Sequence, residues 1–306
     1  VQGVAVAGFA GVAAAYLADL VGTGRLAGAV GAMIAGNSVG GMLGRLGTGF
    51  AAEPLGWRGS LAVVAAVSLG CALFAALTLP REKSPAGGPP SGMAPAGRPV
   101  PDAARAEGPA SGVARGGRSR IGVGVLVPCA VAALAAGAFV ALYNAAGFRL
   151  AAPPLSLAPA AASLVFLSYA MGTASSAAAG RLTTRLGRTA ALVTSLIVTV
   201  AGSVLTLHPS LPVIALGFAV LTAGFFAAHA IANAWVAAQA SPQARGRVAG
   251  LYTLCFYLGS GAGGTAGSVV YGHAGWTWLI ALTSAWLLLA TLAVLLARGP
   301  AGVLSR

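Results

Sequence analysis

Long apolar stretches, broken by short polar or glycine-rich ones, set the pattern of this chain from end to end. Runs of about 20 apolar residues can cross a hydrocarbon core roughly 30 Å thick. Such runs occupy 2–21, 28–50, 58–79, 121–147, 157–179, 189–207, 211–238, 248–271 and 276–297. They predict nine transmembrane helices and an all-α, polytopic membrane protein.

A second pattern lies inside the first. Gly259, Gly263 and Gly267 recur four residues apart, which leaves one helical face bare of side chains. Gly36, Gly40 and Gly44 do the same earlier in the chain. A uniform shift of 223 positions carries Gly36, Gly40, Gly41, Gly44 and Gly49 onto Gly259, Gly263, Gly264, Gly267 and Gly272. A short break and a Gly-Trp pair follow each copy, Gly56-Trp57 in the first and Gly275-Trp276 in the second. This is an internal repeat. In lipid, small residues at this spacing let two helix backbones approach closely, so the faces read as packing surfaces, as surfaces along which helices slide, or as both.

Composition closes off the soluble classes. Hydrophobic residues make up 58% of the chain and charged ones 8%, with a mean hydropathy of +0.86, whereas ordinary soluble domains carry about 25% charged residues. The net charge of +13 is explained by topology. With helices crossing alternately, fifteen of the eighteen Lys and Arg fall on one side; only Arg58 and Arg149 lie on the other, and Arg45 is inside a span. The positive-inside rule makes the first side cytoplasmic, the C-terminus included, and nucleic-acid binding has no place in the account. Cys71, Cys129 and Cys255 sit in spans without pairing or metal-ligand spacing and read as small buried apolar residues.

Residues 81–120 hold seven prolines, eight glycines and ten charged residues. Such a stretch cannot bury enough apolar surface to offset its ordering, and it reads as a flexible cytoplasmic linker. It separates three helices in 1–80 from six in 121–298, with a tail at 299–306. The glycine helix is the fifth of six in the second half but the second of three in the first. Three further helices are therefore expected upstream of Val1, which opens the chain without a methionine or a signal peptide. The parent would be a duplication of six plus six helices in parallel halves.

Local motifs give this plan a resemblance. Gln2-Gly3 and the small-residue run to Ala15 look like the tail of a fourth-helix motif. Ser38-Val39-Gly40-Gly41 stands at a fifth-helix glycine motif, without its usual proline. Gly180, Arg181, Arg185, Gly187 and Arg188 fill a signature loop between helices, with Thr184 where an aspartate is usual. Together these resemble the major facilitator superfamily, and within it the proton-coupled drug and sugar efflux branch, of the arabinose-efflux-permease kind. The resemblance implies a secondary transporter of the bacterial cytoplasmic membrane that moves a small organic solute by alternating access as a monomer. Its partners would be the solute, protons and the bilayer, and no cofactor is implied; an uncoupled facilitator or symporter, or a membrane scaffold or sensor that transports nothing, stays open as an alternative. The loop glycines would allow a tight reversal, and its arginines would hold helix ends through carboxylates or C-terminal carbonyls, or serve only as positive-inside anchors.

Polar groups inside spans are costly and default to functional candidates. No Asp or Glu lies well inside any span: Asp19 and Glu53 are at helix ends, and Glu82, Asp102 and Glu107 are in the linker. The candidates are His229, Asn233, Asn144, Tyr143, Asn37, Arg45, Tyr252 and Tyr257. His229 shares a helix face with Asn233 one turn on, and an unperturbed histidine titrates near pH 6.5. It either lines a cavity or hydrogen-bonds a neighbouring helix. Arg45 shares a face with Asn37 and Gly41, and either serves the pathway or snorkels outward toward Glu53.

Other chemistry is excluded. The single lysine, Lys83, is in the linker, and no phosphate-binding loop exists. The glycine pattern Gly259, Gly261, Gly264 follows no predicted strand and has Ser284, not an acid, twenty residues on. His208, His229 and His273 lack metal spacing, and no nucleophile with a base and an orienting acid can be assembled, so an enzyme is not expected.

Overall fold

A backbone in hydrocarbon finds no water, so it closes its hydrogen bonds within one helical segment. The computed structural model describes residues 23–78, 123–239 and 245–297, leaving aside the side chains of 23–38, 123, 245 and 246. No strand occurs among the described residues. The elements are α1 (Thr23–Thr78), α2 (Val123–Ala151), α3 (Pro159–Ser163), a 3-10 turn (Leu164–Ser168), α4 (Tyr169–Leu186), α5 (Arg188–Leu205), α6 (Leu211–Gln239) and α7 (Arg245–Leu296). The predicted span 2–21, the linker 81–120 and the tail 299–306 lie outside the described residues.

The breaks differ from those expected. The segments 51–57 and 272–275 are not loops, because helix continues through both and is interrupted only at Gly56 (φ 65°) and Gly275 (φ 80°). A left-handed φ is open to glycine at little cost, so one residue suffices to redirect the chain. The same economy shortens the turn expected at 180–188. α4 runs on to Leu186, Gly187 (φ 76°) closes α4 and opens α5, and Arg188 is already the first residue of α5. The predicted span 157–179 in turn divides into α3, the 3-10 turn and α4.

α2 packs along α7, and α6 against α5 and α4. Phe218, Leu142, Leu192, Leu196, Leu279 and Leu287 are fully buried there. The glycine seam of the second repeat is central to this packing. A Cβ at Gly259 would overlap the backbone of Ala133, one at Gly263 that of Gly137, and one at Gly267 the Cβ of Ala141. The partners rise four residues at a time on each helix, so α2 and α7 run parallel in backbone contact. The first copy behaves otherwise: a Cβ at Gly40 or Gly44 meets nothing within 4 Å.

One turn before Ala133 and Gly259, the seam brings Cys129 and Cys255 close to one another. Sequence spacing had not suggested this pairing, and it spans two distant helices. Cys129 is buried and Cys255 half-buried, but Cys71 is exposed, against the expectation that all three would be buried. Polar side chains within the spans largely satisfy themselves. On α5, Ser195, Thr199 and Ser203 each donate to the carbonyl four residues back at 2.8 Å. Large apolar side chains such as Leu69, Phe74, Leu77, Trp278 and Leu296 stand mostly exposed, as befits surfaces that meet lipid rather than water.

Candidate functional site

The predicted polar residues fall into three places. The first is an open trough of about 700 Å³ between α2 and α7, which Asn144, Tyr257, Ser260, Thr265 and Ser268 line together with Gly261 and Gly264. Ser260, Thr265 and Ser268 spend their protons on carbonyls of their own helix, so their oxygens face the trough as acceptors. The Asn144 amide adds donors. Its Nδ2 would lie 3.0 Å from a Cβ on Gly264, so that glycine is what leaves room for the amide.

The second place is built on His229. The Tyr252 hydroxyl lies 3.0 Å from His229 Nδ1 and 3.2 Å from the His229 carbonyl. Phe256 stands 4.9 Å from the imidazole, centroid to centroid, and Phe225 stacks at 6.1 Å. Tyr252 is buried while His229 keeps part of its surface accessible, and Asn233, one turn on, is exposed. The structure thus joins His229 to Tyr252, two candidates 23 residues apart, and leaves Asn233 free toward the open face.

The third place is aromatic. Tyr143 is buried, and its hydroxyl bonds Ser168 and Thr222. Around it lie Phe139, Phe166, Tyr169 and Phe218. The guanidinium of Arg45 enters from α1, 5.4 Å from the ring centroids of both Phe166 and Tyr169. It does not reach toward Glu53, as snorkelling would require. The side chain of Asn37 lies outside what the structure describes, and so do the surroundings of Gly36.

At the turn between α4 and α5, Arg188 stacks on Trp235 of α6 at 4.5 Å. An aromatic face therefore meets this arginine, where carboxylates or helix C-terminal carbonyls were the expected partners. The two Gly-Trp pairs also diverge: Trp276 is buried with its Nε1 donating to Thr206 at 3.1 Å, whereas Trp57 is 63% exposed beneath Arg58. Among the described residues, no cluster of three or more His, Cys, Asp or Glu could hold a metal.

Sequence reasoning missed Ser168 and Thr222, the partners of Tyr143, and Phe166 and Tyr169, the partners of Arg45. Aromatic and hydroxyl residues are unremarkable within an apolar run, and nothing in spacing marks them. Ser260, Gly264 and Ser268 did carry a signal, since their four-residue spacing puts them on one face beside the glycine seam.

A crevice of about 480 Å³ also opens between α4 and α6, lined by Leu164, Leu167, Met171, Leu211, Ile214 and Phe218. Its one polar lining residue, Ser168, is already bonded to Tyr143 and the Val165 carbonyl, so the crevice offers no free polar group.

Comparison with known proteins agrees with this architecture. The sequence profile of the Major Facilitator Superfamily matches residues 1–144 and 131–304. The chain is 33% identical over 290 residues to the inner membrane transport protein YnfM of Escherichia coli (strain K12), covering 95% of this chain and 65% of that one. It is 29% identical over 290 residues to the uncharacterized MFS-type transporter YybF of Bacillus subtilis (strain 168), covering 95% and 67%. It thus spans about two thirds of the length of the curated relatives it matches. With helical spans, a polar trough inside them and this family match, the chain belongs to the major facilitator superfamily, as a membrane transport protein and not an enzyme.

Proposed function

We propose that this chain supplies nine helices of a twelve-helix secondary transporter that exports a small organic solute by alternating access, driven by inward proton flow. The trough carries the reading. An asparagine amide and three hydroxyls opening together between two membrane-spanning helices would be costly against lipid, and they suit a water-filled path for a polar solute. His229 with Tyr252, Asn233 and Asn144 supply the polar contacts of that path, and Tyr143 and Tyr257 its aromatic ones. The glycine repeat supports the twelve-helix plan: Gly259, Gly263 and Gly267 have a helix against them, while Gly40 and Gly44 lack one among the described residues. The missing partner would be an upstream counterpart of α2. The turn of Arg181, Arg185, Gly187 and Arg188 would lie on the cytoplasmic side and couple α4 and α5 to α6 through Arg188 and Trp235. A bacterial cytoplasmic membrane, a single chain as the working unit and a cytoplasmic C-terminus complete the reading, and the printed name of the Escherichia coli relative agrees with an inner membrane.

An uncoupled facilitator is the second reading, because none of the nine predicted spans holds an Asp or Glu well inside it. Proteoliposomes separate the two. Solute flux through the full gene product should rise with an imposed inward proton gradient and collapse with a protonophore; flux indifferent to both means a facilitator. Residues 1–306 alone should carry no flux above empty liposomes, and saturable flux from them would refute the twelve-helix reading.

A further inference from the structure

Two glycines at equivalent places in the repeat each lie beside a polar side chain within a span. Gly264 faces the Asn144 amide. Its counterpart 223 positions earlier, Gly41, faces Arg45, whose Nη1 would lie 3.9 Å from a Cβ there. The Arg45 backbone is about 9 Å from the midpoint of the apolar run 28–50, counted at 1.5 Å per residue, and Gly41 is about 3 Å from it. The side chain therefore turns back toward the centre of the membrane, opposite to the outward snorkelling that would relieve its charge.

The surroundings of the guanidinium limit what it can bind. Phe166 and Tyr169, each 5.4 Å from its carbon and 6.3 Å from one another, offer their rings to one side of the cation. The N–H edges, with five donors in a fixed fork, face no carboxylate among the described residues. Glu53, the one acid among them, is two helical turns away on α1, about 12 Å along the axis. A cation persists at this depth where it lines a water path or meets a counter-charge, and a guanidinium fork matches a planar oxyanion through paired hydrogen bonds.

We propose that Arg45, set against Phe166 and Tyr169 beside Gly41, is the head-group site for an anionic substrate, so that the transported solute is an organic anion bearing a carboxylate or phosphate. This deepens the transport reading and rests on it for the movement of the anion; the site itself is tested by binding alone.

The full gene product is purified in detergent, and binding of benzoate, inorganic phosphate and tetraphenylphosphonium is measured by calorimetry and by thermal shift. An anion should bind and the cation should not; benzoate binding without phosphate assigns a carboxylate, and the reverse assigns a phosphate. Arg45→Gln should weaken the anion about ten-fold or more, the loss of about 1.4 kcal/mol or more. Arg45→Lys should weaken it less. Gly41→Val, which keeps the charge but displaces it, should weaken it as well. The proposal is overturned if neither anion binds, if tetraphenylphosphonium binds in their place, or if Arg45→Gln leaves anion affinity unchanged. It is equally overturned if Arg45→Gln lowers the melting temperature with no effect on binding, since Arg45 would then be a structural cation paired outside these residues. Anion binding through Arg45 without flux would sink the transport reading and leave the site standing.

Discussion

At the scale of single residues, the pairing of His229 with Tyr252 decides what the histidine can do. A phenol has one proton. Either the Tyr252 hydroxyl donates to Nδ1, or it donates to the His229 carbonyl and Nδ1–H donates back to the phenolic oxygen. The two arrangements interconvert with the imidazole tautomer, so a proton arriving at the accessible part of the ring changes what Tyr252 does. If the pair handles protons, His229→Gln should flatten the dependence of flux on pH between about 5.5 and 7.5, and Tyr252→Phe should shift the same profile. If the pair only binds solute, affinity should fall while the pH profile survives. A His229→Leu protein made in normal yield, with unchanged rate, affinity and pH response, would leave the histidine as a packing residue. His229 could be singled out from the sequence because an ionisable group in an apolar run is conspicuous. Its partner could not, since Tyr252 is one of several tyrosines and only the packing of α6 against α7 selects it. Arg45 shows the same limit: its depth was legible, but its direction depends on rings of the 3-10 turn and α4 more than a hundred residues away.

At the scale of elements, the two glycine faces make a paired comparison. Gly263→Leu places a side chain into the backbone of Gly137, and overpacking of this kind costs about 1–3 kcal/mol or more. Gly44→Leu meets open space among the described residues, and by helix propensity alone it would be neutral or favourable. The twelve-helix reading changes the second expectation. In the full gene product an upstream helix should occupy that face, so Gly44→Leu should lower the melting temperature by several degrees, as Gly263→Leu does. Oxidative linking of the native Cys129 and Cys255 gives an independent readout of the α2 and α7 seam, and it should drop in Gly263→Leu but not in Gly44→Leu. If Gly44→Leu is as stable as the parent, no helix packs there. The seam itself was legible because small residues at four-residue spacing have few other uses in lipid. The existence of each described span was legible from apolar length. Where spans end was not, because Gly56, Gly187 and Gly275 redirect the chain through one left-handed residue apiece, and hydropathy registers neither φ nor the helical turns that continue past the apolar run.

At the scale of the whole molecule, orientation in the bilayer is the property that the charge pattern determines most directly. Moving basic side chains across a membrane is unfavourable, and short loops near the ends of spans set the outcome. Here the turn between α4 and α5 holds Arg181, Arg185 and Arg188, and the start of α7 holds Arg245 and Arg247. The opposite ends of the same helices carry Arg149 alone, in the last turn of α2, and neither lysine nor arginine between α5 and α6 or at Gly275. Since α4, α5, α6 and α7 follow one another as separate helices, with α7 redirected at Gly275, the bias acts on several hairpins at once, and no single loop needs to dominate. A green fluorescent protein fused after Arg306 should therefore fluoresce, because it folds in the cytoplasm, while alkaline phosphatase fused near Pro153 should be active outside. Replacing Arg181, Arg185 and Arg188 together with Gln removes much of the bias from one hairpin and leaves the 245–247 pair intact, so the majority orientation should persist with a minor inverted fraction. A dark C-terminal fusion with active phosphatase at the same end would reverse the assignment. It would also move the Arg188 and Trp235 contact to the outer face, and the cytoplasmic coupling role proposed for that turn would have to be abandoned with it.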